Sequence, residues 1–233
     1  MGSKRRAMVR GLFVVFEGID GSGTSTQAAL LHASLVRSGH KASITSEPTS
    51  GPIGHLIREI ITKRVHVSND QEVVDRELAY LFAADRFDHL HNDVDGIIAR
   101  LARGYVSVST RYYLSSFAYN AHKQEDFDLV KMLNKNFPMP DLTFYLDCPL
   151  NEAMRRITAD GRGPDRNENL NNLSRVKQNY ERALAQYAGQ CLVLDATQGT
   201  SMLHEQIVQI VMEKLGANKN ENAAQEHSVP QSR

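Results

Sequence analysis

The 233-residue chain has no tryptophan, two cysteines and no excess of either charge, with 27 lysine and arginine residues against 27 aspartate and glutamate. That balance provides no broad field to steer the molecule toward nucleic acid or an anionic membrane, so any anion it binds must be held by local groups. Cys148 and Cys191 are too few and too far apart for a zinc ligand set or a disulfide framework, which suits a reducing, cytoplasmic setting. No apolar run approaches the ~20 residues of a membrane span. The start, Met1-Gly2-Ser3-Lys4-Arg5-Arg6, has no apolar stretch after its basic residues, and Arg6 stands where an acylation signal needs Ser or Thr. The nine histidines form no ligand cluster, since His89 and His91 point to different faces of a helix. No Ser-His-Asp arrangement stands out either.

What is present is enough apolar residue, 41% of the chain, to bury a full core in one domain. Gly11 to Phe16 is a short, nearly continuous apolar run and reads as a strand buried on both faces. Further strands are expected at Lys41 to Thr45, Tyr105 to Ser109, Leu142 to Leu146 and Leu192 to Leu194. Helical spacing covers Thr26 to Arg37, Ile53 to Ile61, Gln71 to Leu90, Leu170 to Ala188 and Met202 to Leu215. Strands alternating with helices imply an α/β fold, a parallel five-stranded sheet with helices on both faces, which takes its ligands at the carboxyl ends of the strands. Residues 1–10 are expected to be a flexible extension, 11–215 the folded domain, and the polar stretch 216–233 a disordered tail.

Between the first strand and first helix, Gly18-Ile19-Asp20-Gly21-Ser22-Gly23-Thr24-Ser25 has the spacing of the phosphate loop G-x-x-x-x-G-K-[ST]. Its glycines let successive N–H groups turn inward around phosphate oxygens, and the helix start through Thr26 adds partial positive charge. The Ser25 hydroxyl is then placed to ligate Mg²⁺. One departure stands inside the motif: Thr24 occupies the lysine position, so the cation that reaches the β- and γ-phosphates is missing. A threonine donates only a neutral hydrogen bond, about half as strong as a charge-assisted one. Asn134-Lys135-Asn136-Phe137 lacks the aspartate of a guanine-selective N-K-x-D run, which argues against a GTPase.

Several landmarks occur in order: Phe16 to Gly23, Glu47-Pro48, Leu81-Phe82-Ala83-Ala84-Asp85-Arg86, Arg111-Tyr112 with Ser115 and Ala118-Tyr119, Asp165-Arg166, and Asp195-Ala196-Thr197. Together they resemble the bacterial-type thymidylate kinases, P-loop nucleoside monophosphate kinases, over nearly all of Gly11 to Leu215. The resemblance implies transfer of the γ-phosphoryl group of ATP to dTMP with Mg²⁺, in dTTP biosynthesis, by a homodimer. It implies that Phe82 stacks on thymine, that Arg86 and Ser116 contact the base edge, and that Tyr119 excludes a ribose 2′-hydroxyl. Arg111 and Arg58 would hold the acceptor phosphate, Asp20 the sugar 3′-hydroxyl close to the metal, with Glu47 and Pro48 beside them. Residues 155–168 resemble a lid, whose Arg162 and Arg166, with Arg156 behind them, would bring charge over ATP and offset the lysine missing at Thr24. The aspartate usual before the family's phosphate-holding arginine is Thr110 here. Two alternatives remain at this stage: a kinase for another deoxynucleotide or a deoxynucleoside, and a nucleotide-binding homologue impaired in catalysis, motivated by Thr24 and Thr110.

Overall fold

A computed structural model describes residues 10–159 and 170–227. Five parallel strands form one sheet in the order β2-β3-β1-β4-β5, comprising β1 (Phe13–Glu17), β2 (Ala42–Ser46), β3 (Val106–Thr110), β4 (Leu142–Asp147) and β5 (Cys191–Asp195). Every residue of β1 is buried, as its unbroken apolar sequence requires for a central strand. The strand starts at Phe13, two residues later than Gly11, where a side chain would lie 1.8 Å from the Tyr105 carbonyl oxygen.

Nine helices are described: α1 (Thr24–Arg37), α2 (Pro52–Ile61), α3 (Gln71–His91), α4 (Ile97–Ala102), α5 (Tyr113–Asn120), α6 (Gln124–Asn134), α7 (Leu150–Ala159), α8 (Leu170–Leu184) and α9 (Thr200–His227). Helix α3 begins with the Asp70 side chain accepting from Glu72 N at 2.9 Å, which satisfies one of the free amides of the first turn. Helices α1 and α9 pack together, as do α5 and α8, and α2 and α3. The main core joins the inner strands to α1, α5, α8 and α9, while Ile57, Ile60, Val74 and Leu78 form a second cluster between α2 and α3.

Two expectations change. Residues 155–159 of the stretch read as a lid lie in α7, and Arg162, Arg166 and the rest of 160–169 fall outside the described residues. The last helix runs to His227 rather than stopping before a disordered tail at 216. Between Gly216 and His227 there is neither Gly nor Pro, and Ala, Glu, Gln and Lys favour helix.

Candidate active site

The turn after β1 is tight enough to demand glycine. Gly21 adopts φ +78°, and a Cβ there would lie 2.5 Å from the Ala153 carbonyl oxygen. Gly23, at φ +95°, opens α1 without any side-chain cap, so amides of the helix start remain free for an anion. A cavity of about 320 Å³ covers this turn, lined by Asp20, Gly21, Ser22, Gly23, Thr24, Ser25 and Thr26, and on its far side by Ala196, Gln198 and Thr200. Gly18 and Ile19 do not line it: Ile19 is buried in the core, and the Gly18 carbonyl turns to Arg111. Arg156 reaches over the turn from α7, 3.5 and 3.4 Å from the Gly21 and Ser22 carbonyls, and donates to Ala196 O at 2.7 Å. Glu152 fixes its Nε at 2.7 Å, and bonds from Arg155 and then Arg156 lower the Glu152 carboxyl to about 2. Arg156, placed third among the lid arginines, is thus at the loop, while Arg162 and Arg166 lie outside the described residues.

A second cavity, of about 540 Å³, lies under α2, α3 and α5. Glu47, Pro48, Arg58, Phe82, Arg86, Ser115, Ser116 and Tyr119 all line it, so the motifs scattered along the sequence converge. Arg58 also clamps the chain of the β2–α2 turn, donating to Thr49 O and Pro48 O, each at 2.5 Å. Thr49 is held in turn by Asp85, which accepts from its amide at 2.8 Å and its hydroxyl at 2.6 Å.

Arg86 differs most from expectation. It is fully buried, paired with Glu47 at 2.5 Å, hydrogen-bonded to Asn134 and to Ser116 at 3.2 Å, and its guanidinium lies 5.1 Å from the Tyr112 ring centre. These bonds occupy four of its N–H groups, one on Nε, one on Nη1 and two on Nη2. A guanidinium has five, which leaves one N–H on Nη1 beyond these bonds. A buried charge without a partner is costly, so the partner Glu47 comes first. Asp75 and Asn120 line the same cavity without having been singled out in the sequence. Only the helical spacing of Asp75 to Phe82 and the adjacency of Asn120 to Tyr119 could have indicated them.

Asp20, Ser25 and Arg111 line both cavities and therefore mark where the two meet. Arg111 has φ +69°, a left-handed conformation that costs a non-glycine residue about 1–2 kcal/mol. Its amide donates to Phe16 O at 2.8 Å. Its guanidinium pairs with Asp20, donates to Gly18 O at 3.0 Å and lies 4.8 Å from the Tyr119 ring centre. Behind it sits Glu17, wholly buried. Glu17 accepts from Tyr112 N at 2.9 Å, from the Ser115 hydroxyl at 2.6 Å and from the Tyr180 hydroxyl at 2.9 Å. The two hydroxyls are themselves 2.8 Å apart. Burial raises the Glu17 carboxyl from 4.5 to about 7, against the opposing effects of the Ser115 bond and the Arg111 charge.

Among the described residues no group of three or more His, Cys, Asp or Glu could hold a metal alone. The Ser25 hydroxyl and the Asp20 carboxylate still suit Mg²⁺, which takes hard oxygen ligands and is usually held by one or two protein oxygens together with substrate phosphates. Thr110 is buried at the end of β3 with its carbonyl accepting from Glu47 N at 3.0 Å, so it adds no charge there.

Comparison with known proteins fits this geometry. The family model described as Thymidylate kinase matches residues 16–207. The "Probable thymidylate kinase" of Pyrococcus abyssi is 35% identical over 207 residues, covering 89% of this chain and 98% of that one. A protein of the same description from Pyrobaculum aerophilum is 39% identical over 168 residues, 72% of this chain and 80% of its own. A solved structure of the thymidylate kinase from Candida albicans superposes with a TM-score of 0.72 at 26% identity, covering 90% of this chain and 93% of that one.

Proposed function

The chain belongs to the thymidylate kinase family, and we infer from that membership and from its two joined cavities that it transfers the γ-phosphoryl group of ATP to the 5′-phosphate of dTMP. The observation that carries this reading is the sharing of Asp20, Ser25 and Arg111 by both cavities, because a direct transfer needs donor and acceptor phosphates to meet at one point.

In this reading the loop amides from Asp20 to Thr26 hold the ATP phosphates, and Arg156 spans the loop from above. Phe82 stacks on the thymine, the last free N–H of Arg86 and the Ser116 hydroxyl meet its edge, and Tyr119 crowds the sugar. Ser115 keeps this wall of the cavity in place, Arg58 faces the acceptor phosphate from α2, and Arg111 grips it at the junction. Ser25, with Asp20 near it, would hold Mg²⁺, which would supply positive charge against the phosphates. An oxygen of the dTMP phosphate forms a bond to the γ-phosphorus as the bond from that phosphorus to ADP breaks, giving dTDP and ADP. The charge spread over the transferring group is met by Arg111, and by Arg162 and Arg166 where the charge missing at Thr24 has to be replaced. No described helix is long and apolar enough to cross a membrane. A cytoplasmic homodimer, with the exposed face of α3 as its interface, completes the proposal.

An ADP-release assay with purified protein, ATP and magnesium tests it. Release is expected to depend on dTMP and to be much weaker with other deoxynucleoside monophosphates or with thymidine. ADP formation indifferent to dTMP would reject the reading.

A further inference from the structure

Tyr180 was not marked by any motif, yet it stands directly behind Arg111. It projects from α8 into the core with 0% of its surface exposed, its ring 5.2 Å from that of Tyr145 and 6.3 Å from that of Tyr119. A hydroxyl so placed has to find partners inside the protein, and it finds three. It donates to Glu17 at 2.9 Å, lies 2.8 Å from the Ser115 hydroxyl, and accepts from Arg111 Nη1 at 3.2 Å. Because its proton is directed to Glu17, the Tyr180 oxygen keeps its lone pairs for the Arg111 guanidinium.

Arg111 needs such an anchor. Its backbone is held in the left-handed region, its other hydrogen-bonded contacts, Asp20 and the Gly18 carbonyl, both belong to the phosphate loop, and the Tyr119 ring lies 4.8 Å away. The Tyr180 oxygen and, at 3.4 Å, the Ser115 oxygen hold Nη1 from α8 and α5, elements outside the phosphate loop. Neither Glu17 nor Tyr180 lines either of the two cavities, so each acts behind their walls.

We propose that Tyr180 is a positioning residue, which with Glu17 sets the Arg111 guanidinium at the junction of the two cavities in the attitude that binds the acceptor phosphate. This rests on the reading of Arg111 as the phosphate-holding arginine, so the experiment tests both. Tyr180→Phe keeps the ring packing and removes only the hydroxyl. It is expected to raise KM for dTMP about three- to tenfold, the range of one net hydrogen bond, while KM for ATP stays unchanged. In an Arg111→Lys background the same change is expected to add nothing, because Tyr180 acts through Arg111. A merely structural role would lower kcat through loss of folded enzyme and leave both KM values alone. An unchanged KM for dTMP, an equal rise for both substrates, or full additivity with Arg111→Lys overturns the proposal. If Arg111→Lys itself leaves KM for dTMP unaltered, the premise falls and the proposal with it, which is a different result from failure of Tyr180→Phe alone. Should Tyr180→Phe not fold, Glu17→Gln, which changes the partner of the same hydroxyl outside either cavity, is read by the same criteria.

Discussion

Phe82 is shared between two environments, the apolar cluster of α2 and α3 and the acceptor cavity. Stacking on a base is worth about 1–3 kcal/mol, so Phe82→Ala is expected to raise KM for dTMP about 5- to 150-fold, with KM for ATP unmoved. A thermal melt beside the kinetics separates the two roles: a lowered melting temperature with normal KM values would make Phe82 a core residue only. Arg156 gives the complementary case on the donor side. It is the described arginine that spans the loop lacking a lysine, and Arg156→Ala is expected to raise KM for ATP about tenfold, the loss of a charge-assisted contact. Steady-state kinetics at saturating dTMP checks this, and a change confined to dTMP would count against it. Residues such as these were legible because each belongs to a local pattern: glycine spacing around Asp20, the run from Leu81 to Arg86, the basic stretch after Glu152. Tyr180 was not, because it meets Glu17 across 163 positions of sequence, and no local pattern encodes that contact.

At the scale of elements, the strands were readable from short apolar runs and the long helices from their three-and-four spacing, whereas α4 to α7 were not delimited. Those helices are short, and α5 and α6 bury polar residues such as Ser116, Asn120, Asp126 and Asn134, which breaks any simple apolar stripe. Helix α5 also carries no cap of its own. Tyr112 makes no side-chain capping bond, and the first turn is closed from β1 by Glu17, which accepts from the Tyr112 amide at 2.9 Å and the Ser115 amide at 3.4 Å. The groups facing this carboxyl are Arg111 and Tyr112 before α5, Ser115 on it, Tyr180 on α8, and Tyr145 on β4, which is Glu17's register partner. With its pKa raised from 4.5 to about 7 in the folded protein, Glu17 holds a proton that the unfolded chain releases. Its contribution to stability is therefore full below pH 4.5 and is lost as pH rises to about 7. The unfolding free energy of the wild type, relative to Glu17→Gln, is expected to fall across that window by roughly 3 kcal/mol. Denaturant titrations of both proteins at a series of pH values measure it; a difference independent of pH would show that the carboxyl ionises normally.

For the whole molecule, the surface of α3 raises the question of assembly. Its inner face carries Val74, Leu78, Ala79, Arg86 and Leu90 into the protein, while its outer face presents Val73, Tyr80 and Phe87, which are 48%, 51% and 60% exposed. These three stand seven residues apart, and Glu77, Ala84 and His91 fill the intervening positions at steps of four and three. A helix that repeats apolar residues every seven positions presents a seam, here punctuated by Glu77 and His91, of the kind that packs against another helix. A second copy of the same helix offers a matching seam by symmetry, which is the commonest way a soluble chain pairs. Because Phe82 and Arg86 sit on the same helix, pairing through α3 would also stiffen the thymine end of the acceptor cavity. The double substitution Tyr80→Glu with Phe87→Glu places like charges along the seam without touching the buried face, so the fold should survive while the pair separates. Sedimentation velocity is expected to show two-chain mass for the wild type and one-chain mass for the double variant, with KM for dTMP rising more than KM for ATP. A wild type that sediments as a single chain, or a double variant that remains paired, would remove α3 as the interface.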